Sequence, residues 1–215
     1  MATICPAVLA GDPHEFREQM ERIAPFSRRV QIDLTDGLFA LNKTVALDKI
    51  WWPHGVKADL HLMYKRPDLF IGKILELEPA LVIIHAEAEG DFTPFAAKLH
   101  NAGIKVGVAL LPDTGPELIE NALEDIDHVL IFSGSLGHFG GQADLELLKK
   151  VKRLKTLKPE LEIGWDGSIN ADNAKELAEG GVDVLNVGGF IQKADDPEAA
   201  YAKLLTELTR STRED

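Results

Sequence analysis

The stretch VQIDLTDG, residues 30–37, decides how this chain is read. As a strand it puts Val30, Ile32 and Leu34 on one face and Gln31 and Asp33 on the other. The segment is short and apolar enough to be buried. A lone carboxylate is costly to desolvate there, so the chain should supply Asp33 with a cation or a hydrogen-bond donor. The alternative is that Asp33 caps the turn that follows the strand. Other strand ends have to decide between the two.

Outward from this stretch, the chain repeats one unit. Apolar runs at 4–9, 30–34, 57–63, 80–85, 105–111, 128–132, 161–165 and 182–187 read as strands. Between them, helical spacing predicts helices over 14–23, 67–77, 94–102, 116–123, 144–157, 170–179 and 197–208, bounded by Pro and Gly signals such as Asp12-Pro13, Gly103 and Gly180-Gly181. Alternating strand and helix predicts a parallel sheet. Eight such units fit a closed (β/α)8 TIM barrel of class α/β, and 215 residues lie near the small end for that fold. An open doubly wound sheet would want a glycine-rich GxGxxG turn after its first strand, and AGDP stands there instead. No linker or composition shift divides the chain, so one domain over 1–215 is expected.

Bulk properties narrow the function. Hydrophobic residues make up 45% and charged residues 27%, the composition of an ordinary globular chain. A net charge of -12 argues against nucleic acid or an anionic membrane as partner. A small anion remains compatible, because a local cluster of backbone N–H groups is enough to hold a phosphate. Cys5 is the only cysteine, which excludes an internal disulfide and fits a reducing cytoplasm. The opening MATICPAVLA reads as a first strand, not a leader peptide, and no run reaches the length of a membrane span.

Barrel enzymes work at the C-terminal ends of their strands. Here those ends gather the polar and glycine residues: Asp33 and Asp36, His61, His85, the loop SGSLGHFGGQ, Asp166-Gly167-Ser168 and Gly188-Gly189. Gly167-Ser168 and Gly188-Gly189 follow the seventh and eighth strands, the usual place for a barrel phosphate site, although either pair alone reads as an ordinary turn. Asp33 and Asp166 are expected across the barrel from each other, suited to removing a proton on one side of a substrate and delivering one on the other. His61 reads as a metal ligand or as a hydrogen-bond partner of either carboxylate.

These residues resemble the ribulose-phosphate 3-epimerase family. The likeness is carried by ICPAVLAGD, IDLTDGLFALN, ADLHLM, KVGVAL, FGGQ, WDGSIN and VGGF, in that family's order and over almost the whole chain. The resemblance implies a barrel of the ribulose-phosphate-binding type that inverts carbon 3 of a pentulose phosphate. It implies Asp33 and Asp166 as the catalytic acid and base. It implies a divalent metal (zinc, iron, manganese or cobalt) on Asp33, His61 and Asp166, with Gln31 where the family has a fourth, histidine ligand. Substrate and phosphate contacts fall on His61, Met63, Gly140, Gly141, Gly167, Ser168, Gly188 and Gly189. The implied partner is a small phosphorylated ketose, and the family tends to form homo-oligomers. Departures are Gln31, Ala7 for a serine, Thr35 for a methionine, His138 and Ser168 for glycines, and one extra residue in SGSLGHFGGQ. Other readings are epimerisation of another ketose phosphate and a phosphosugar-binding barrel without catalysis. Related decarboxylases and aldolases want a lysine within a DxKxxD segment, and DLTDG has none.

Overall fold

The computed structural model describes residues 2–209. Eight parallel strands close into a barrel in chain order: β1 (Thr3–Val8), β2 (Arg29–Thr35), β3 (Lys57–Met63), β4 (Leu81–His85), β5 (Lys105–Leu110), β6 (His128–Phe132), β7 (Glu162–Asp166) and β8 (Val184–Val187). The β2–β3 pairing runs unbroken from Arg29 opposite Lys57 to Thr35 opposite Met63, so Asp33 lies beside His61. β8 closes on β1, with Asn186 opposite Cys5. Seven α-helices pack outside: α1 (Pro13–Ile23), α2 (Ile71–Leu77), α3 (Phe92–Asn101), α4 (Leu148–Leu157), α5 (Ala174–Glu179), the single turn α6 (Gly189–Gln192) and α7 (Pro197–Thr209). None of these helices is long and apolar enough to cross a membrane.

Local chemistry explains most of the boundaries. Asp12 caps α1 through Oδ1, which accepts from the backbone N–H groups of His14 and Glu15, and Phe16, Met20 and Ile23 are buried as their spacing predicts. The helix expected over 116–123 is instead two 3-10 segments, Pro116–Leu118 and Glu120–Asp125. Glu117 suits the start of a helix, but Glu124 and Asp125 stand at the C-terminal end of this segment, where a helix dipole disfavours anions. The helix expected from residue 170 starts at Ala174, because side chains hold the turn before it. Asn173 Oδ1 accepts from Asn170 N, and Asn170 Oδ1 accepts from Asp172 N.

The barrel interior is layered. Leu81, Ile83, Ala109 and Leu130 form an apolar plug, separate from the larger core between strands and helices. Glycines make room for it: a Cβ on Gly107 would lie 2.9 Å from Ile83 Cγ1, and one on Gly164 would lie 2.5 Å from His128 Nε2. At the N-terminal end lies an ionic floor. Arg29 Nε donates to Asp59 at 2.6 Å, its two terminal nitrogens grip Glu162 at 3.0 and 2.8 Å, and His128 Nδ1 donates to Glu162 at 2.7 Å. Burial resists the Glu162 charge, but the bonds from His128 and Arg29 outweigh it and hold its carboxyl well below the ordinary 4.5. Burial pushes Asp59 the other way, upward, against the pull of Arg29.

Removing the cation from this floor should be severe. Arg29→Met leaves Asp59, 2% exposed, without its counter-charge, and denaturant unfolding should show a loss of about 3–5 kcal/mol. Glu162→Gln should destabilise fully at neutral pH. Because the folded-state value of Glu162 is depressed, the gap between wild type and Glu162→Gln should close as pH falls below 4.5, which melting curves across pH will measure.

Candidate active site

Four strands bring polar side chains to one point inside the C-terminal mouth. Gln31 and Asp33 come from β2, His61 from β3, His85 from β4 and Asp166 from β7. The Gln31 amide nitrogen donates both hydrogens, to Asp33 Oδ1 at 2.8 Å and to Asp166 Oδ2 at 2.7 Å. His61 Nδ1 lies 2.9 Å from the same Asp33 oxygen and 3.5 Å from the same Asp166 oxygen. Ionised carboxylates only accept, so both nitrogens act as donors to the pair. Asp33 and Asp166 therefore stand closer than expected. β7 and β2 are separated by only β8 and β1, and the two carboxylates converge on one amide nitrogen instead of facing each other from opposite walls.

Electrostatics agrees with this arrangement. Burial raises Asp33, the neighbouring Asp166 raises it further, and bonds from His61 and Gln31 pull back, leaving it at about 6. Burial by itself would lower His61, but its bonds to Asp166 and Asp33 and their charges hold it up at about 9. His61 Nε2 faces His85 Nε2 at 3.0 Å, so one ring donates to the other. Burial, against the pull of Glu87 and with the help of the His61 charge, takes His85 down to about 4, and its ring is neutral. Its other nitrogen points toward Glu87, at 3.5 Å.

Asp33, His61 and Asp166 offer ligand atoms within 4.8 Å of one another, the one such group among the described residues. Gln31 Oε1 is buried beside them with no hydrogen-bond partner. Turning the amide over would aim this orphaned oxygen at the group. Two carboxylates, an imidazole and an amide oxygen then suit a divalent cation.

Asp166 also lines a cleft of about 270 Å³ with Gly140, Gly141, Gly167, Ser168, Gly188 and Gly189. Six residues expected at a phosphate thus share one cleft with one of the two acids. Backbone geometry keeps it open. Gly167 has φ of +123°, and a Cβ there would stand 2.4 Å from the carbonyl carbon of Ser133. A Cβ on Gly188 would strike the Phe139 ring at 2.3 Å. Ser168 takes the left-handed conformation at φ of +58° and donates its hydroxyl to the Gly140 carbonyl, tying the glycine loop to the strand end. Met63 and His61 are buried and are not among the residues lining this cleft. Asp36 has the plain turn role: it accepts from the backbone N–H groups of Leu38, Phe39 and Lys65.

A family model described as the ribulose-phosphate 3 epimerase family matches residues 3–191. The chain belongs to this family. Ribulose-phosphate 3-epimerase of Helicobacter pylori is 32% identical over 209 residues, covering 94% of this chain and 95% of that protein. The Aquifex aeolicus protein of the same name is 33% identical over 215 residues, covering 95% and 96%. Membership makes the protein an enzyme of the isomerase class. Among solved structures, 3-hexulose-6-phosphate synthase from Salmonella typhimurium superposes with a TM-score of 0.67 at 17% identity, over 95% of this chain and 97% of that one. Orotidine 5'-phosphate decarboxylase from Pyrococcus horikoshii superposes at 0.66 and 15%, over 97% and 100%. At those identities the superpositions speak for the barrel alone.

Two residues at this epimerase-family site escaped the sequence reading of roles. His85 was visible as a histidine ending an apolar strand, but nothing in the sequence said that its ring would meet His61. Asn186 lies in the expected strand 182–187 and was given no role. For the cleft, Gly167→Ala should cost about 1–3 kcal/mol of stability from backbone strain and more if Ser133 cannot move, and should weaken phosphate binding measured by calorimetry.

Proposed function

We propose that the protein inverts C3 of a ketopentose phosphate, interconverting D-ribulose 5-phosphate and D-xylulose 5-phosphate. The observation that carries this reading is the convergence of Asp33 and Asp166, from β2 and β7, within a chain of the epimerase family. One aspartate takes the C3 proton, made acidic by the neighbouring ketone. The other returns a proton to the opposite face. Gly140, Gly141, Gly167, Ser168, Gly188 and Gly189 hold the phosphate, and Met63 and His61 border the sugar. Asp33, His61, Asp166 and the Gln31 oxygen would hold zinc, iron, manganese or cobalt, which when bound supplies positive charge for the enediolate. His61 Nε2, bonded to His85, fixes the ring so that Nδ1 faces the two carboxylates, and Nδ1 would give up its proton to hold a cation there. The same reading takes residues 1–215 as one working unit, a homo-oligomer in the cytoplasm.

One observation favours a second reading. Gln31 donates to both carboxylates at once, an arrangement that also suits a barrel that binds a phosphorylated ketose without turning it over. A third, that Ala7 and the altered glycine loop admit another ketose phosphate, is separated by assaying a substrate panel.

Purified protein incubated in D2O with D-ribulose 5-phosphate and each divalent cation should incorporate deuterium at C3 and form D-xylulose 5-phosphate. Asp33→Asn and Asp166→Asn should each lower kcat by at least about 100-fold. No exchange with any cation or any ketose phosphate would leave the binding reading. Gln31→His should tighten zinc affinity by about tenfold or more, read by metal titration, since imidazole is the better ligand for zinc.

A further inference from the structure

Asn186 is a side chain near the acid pair to which the roles above assign nothing. It sits on β8, where its backbone pairs with Asp166 of β7 on one side and Cys5 of β1 on the other. It is 2% exposed, yet neither its amide nitrogen nor its amide oxygen has a hydrogen-bond partner among the described residues. Buried carboxamides are nearly always paired, and each unmade bond costs stability. A valine, with high strand propensity, would fill such a position without that penalty. The side chain also lines the cleft shared by Asp166, Gly188 and Gly189. An unpaired donor and an unpaired acceptor thus lie together at the wall of the cleft.

Their position selects the group they meet. Asn186 is in register with Asp166 and precedes Gly188, the first residue past the end of β8, by two residues. It therefore lies between the acid that serves the reacting carbon and the glycines that take the phosphate. In a pentulose 5-phosphate, C3 reacts and C5 carries the phosphate. The group between them is the C4 hydroxyl, one donor and one acceptor on the same oxygen. We infer that Asn186 is a substrate-contacting specificity residue, whose carboxamide hydrogen-bonds the C4 hydroxyl of the phosphorylated ketose. This rests on the epimerase reading for the direction in which the sugar lies. The account explains why a polar side chain is tolerated unpaired in the free protein: its partner arrives with the substrate. A ketose phosphate lacking that hydroxyl leaves the amide buried and unmatched, and is discriminated against on that ground.

The test uses the isosteric pair Asn186→Val and Asn186→Thr, which differ by a hydroxyl, with D-ribulose 5-phosphate and its 4-deoxy analogue. Asn186→Val should melt at or above the wild-type temperature without ligand, because it removes two unpaired buried groups. Its kcat/KM for D-ribulose 5-phosphate should fall about 10–100-fold, and Asn186→Thr should regain part of that loss. Wild type should discriminate against the 4-deoxy analogue by a similar factor, while Asn186→Val should handle both compounds within about twofold of each other. The inference is overturned if Asn186→Val keeps wild-type kcat/KM, if it loses equally on both compounds, or if it only lowers the melting temperature. Should Asn186→Val fail to fold, wild-type indifference to the 4-deoxy analogue overturns it as well. Calorimetric binding of D-ribulose 5-phosphate separates this from the epimerase reading. Wild type that binds without turnover contradicts the epimerase reading alone, and equal affinity in wild type and Asn186→Val contradicts the role of Asn186 alone. Wild type that does not bind the compound contradicts both.

Discussion

Two carboxylates cannot share a buried space as anions unless something positive or proton-donating stands between them. Here one amide nitrogen and one imidazole nitrogen do so. Gln31 spans Asp33 and Asp166 at 2.8 and 2.7 Å, and His61 approaches the same two oxygens. In a low-dielectric interior their mutual repulsion would otherwise push one of them to protonate. The rest of the mouth depends on this meeting. It needs the β2–β3 register that sets Asp33 beside His61, and the closure of β8 on β1 that brings β7 round to β2. It also needs His85, whose ring hydrogen-bonds the second nitrogen of His61. At the other end of the barrel Arg29, Asp59, Glu162 and His128 form a second ionic layer, with the apolar plug of Leu81, Ile83, Ala109 and Leu130 in the interior as well.

Much of this was legible in the sequence, for identifiable reasons. Strands buried on both faces leave continuous apolar runs, so β4 and β6 could be located within a residue. Acids, histidines and glycines at strand ends marked the mouth, because an apolar strand has no other use for them. What failed had physical causes too. The segment 116–123 was read as a helix, but Glu124 and Asp125 stand at the end that disfavours anions, and 3-10 turns form. Asp33 and Asp166 were expected to face each other across the lumen. Side-chain reach and barrel curvature, neither of which is written in the sequence, bring them to a common donor. His85 and Asn186 were unread because their meaning lies in the neighbours that barrel closure gives them.

Three of the substitutions that set this chain apart from the family pattern lie at the mouth. Gln31 touches both carboxylates, Ser168 ties the glycine loop to β7, and His138 lines the cleft beside it. Asn186, which is not one of these departures, stands in register with Asp166 at the same mouth. The three departures change the hydrogen bonding around the acids and the wall of the cleft. The two acids and the glycines Gly140, Gly141, Gly167 and Gly188 keep the pattern that the family resemblance implies.

The central claim is that Asp33 and Asp166 serve opposite faces of one carbon. It is tested most directly by the fate of the C3 hydrogen in the first turnovers in D2O, followed by mass spectrometry of both epimers. Two separate acids predict that newly formed D-xylulose 5-phosphate carries solvent deuterium at C3 while the remaining D-ribulose 5-phosphate still carries protium. Product that retains the original protium, handed across by a single group, would contradict the account.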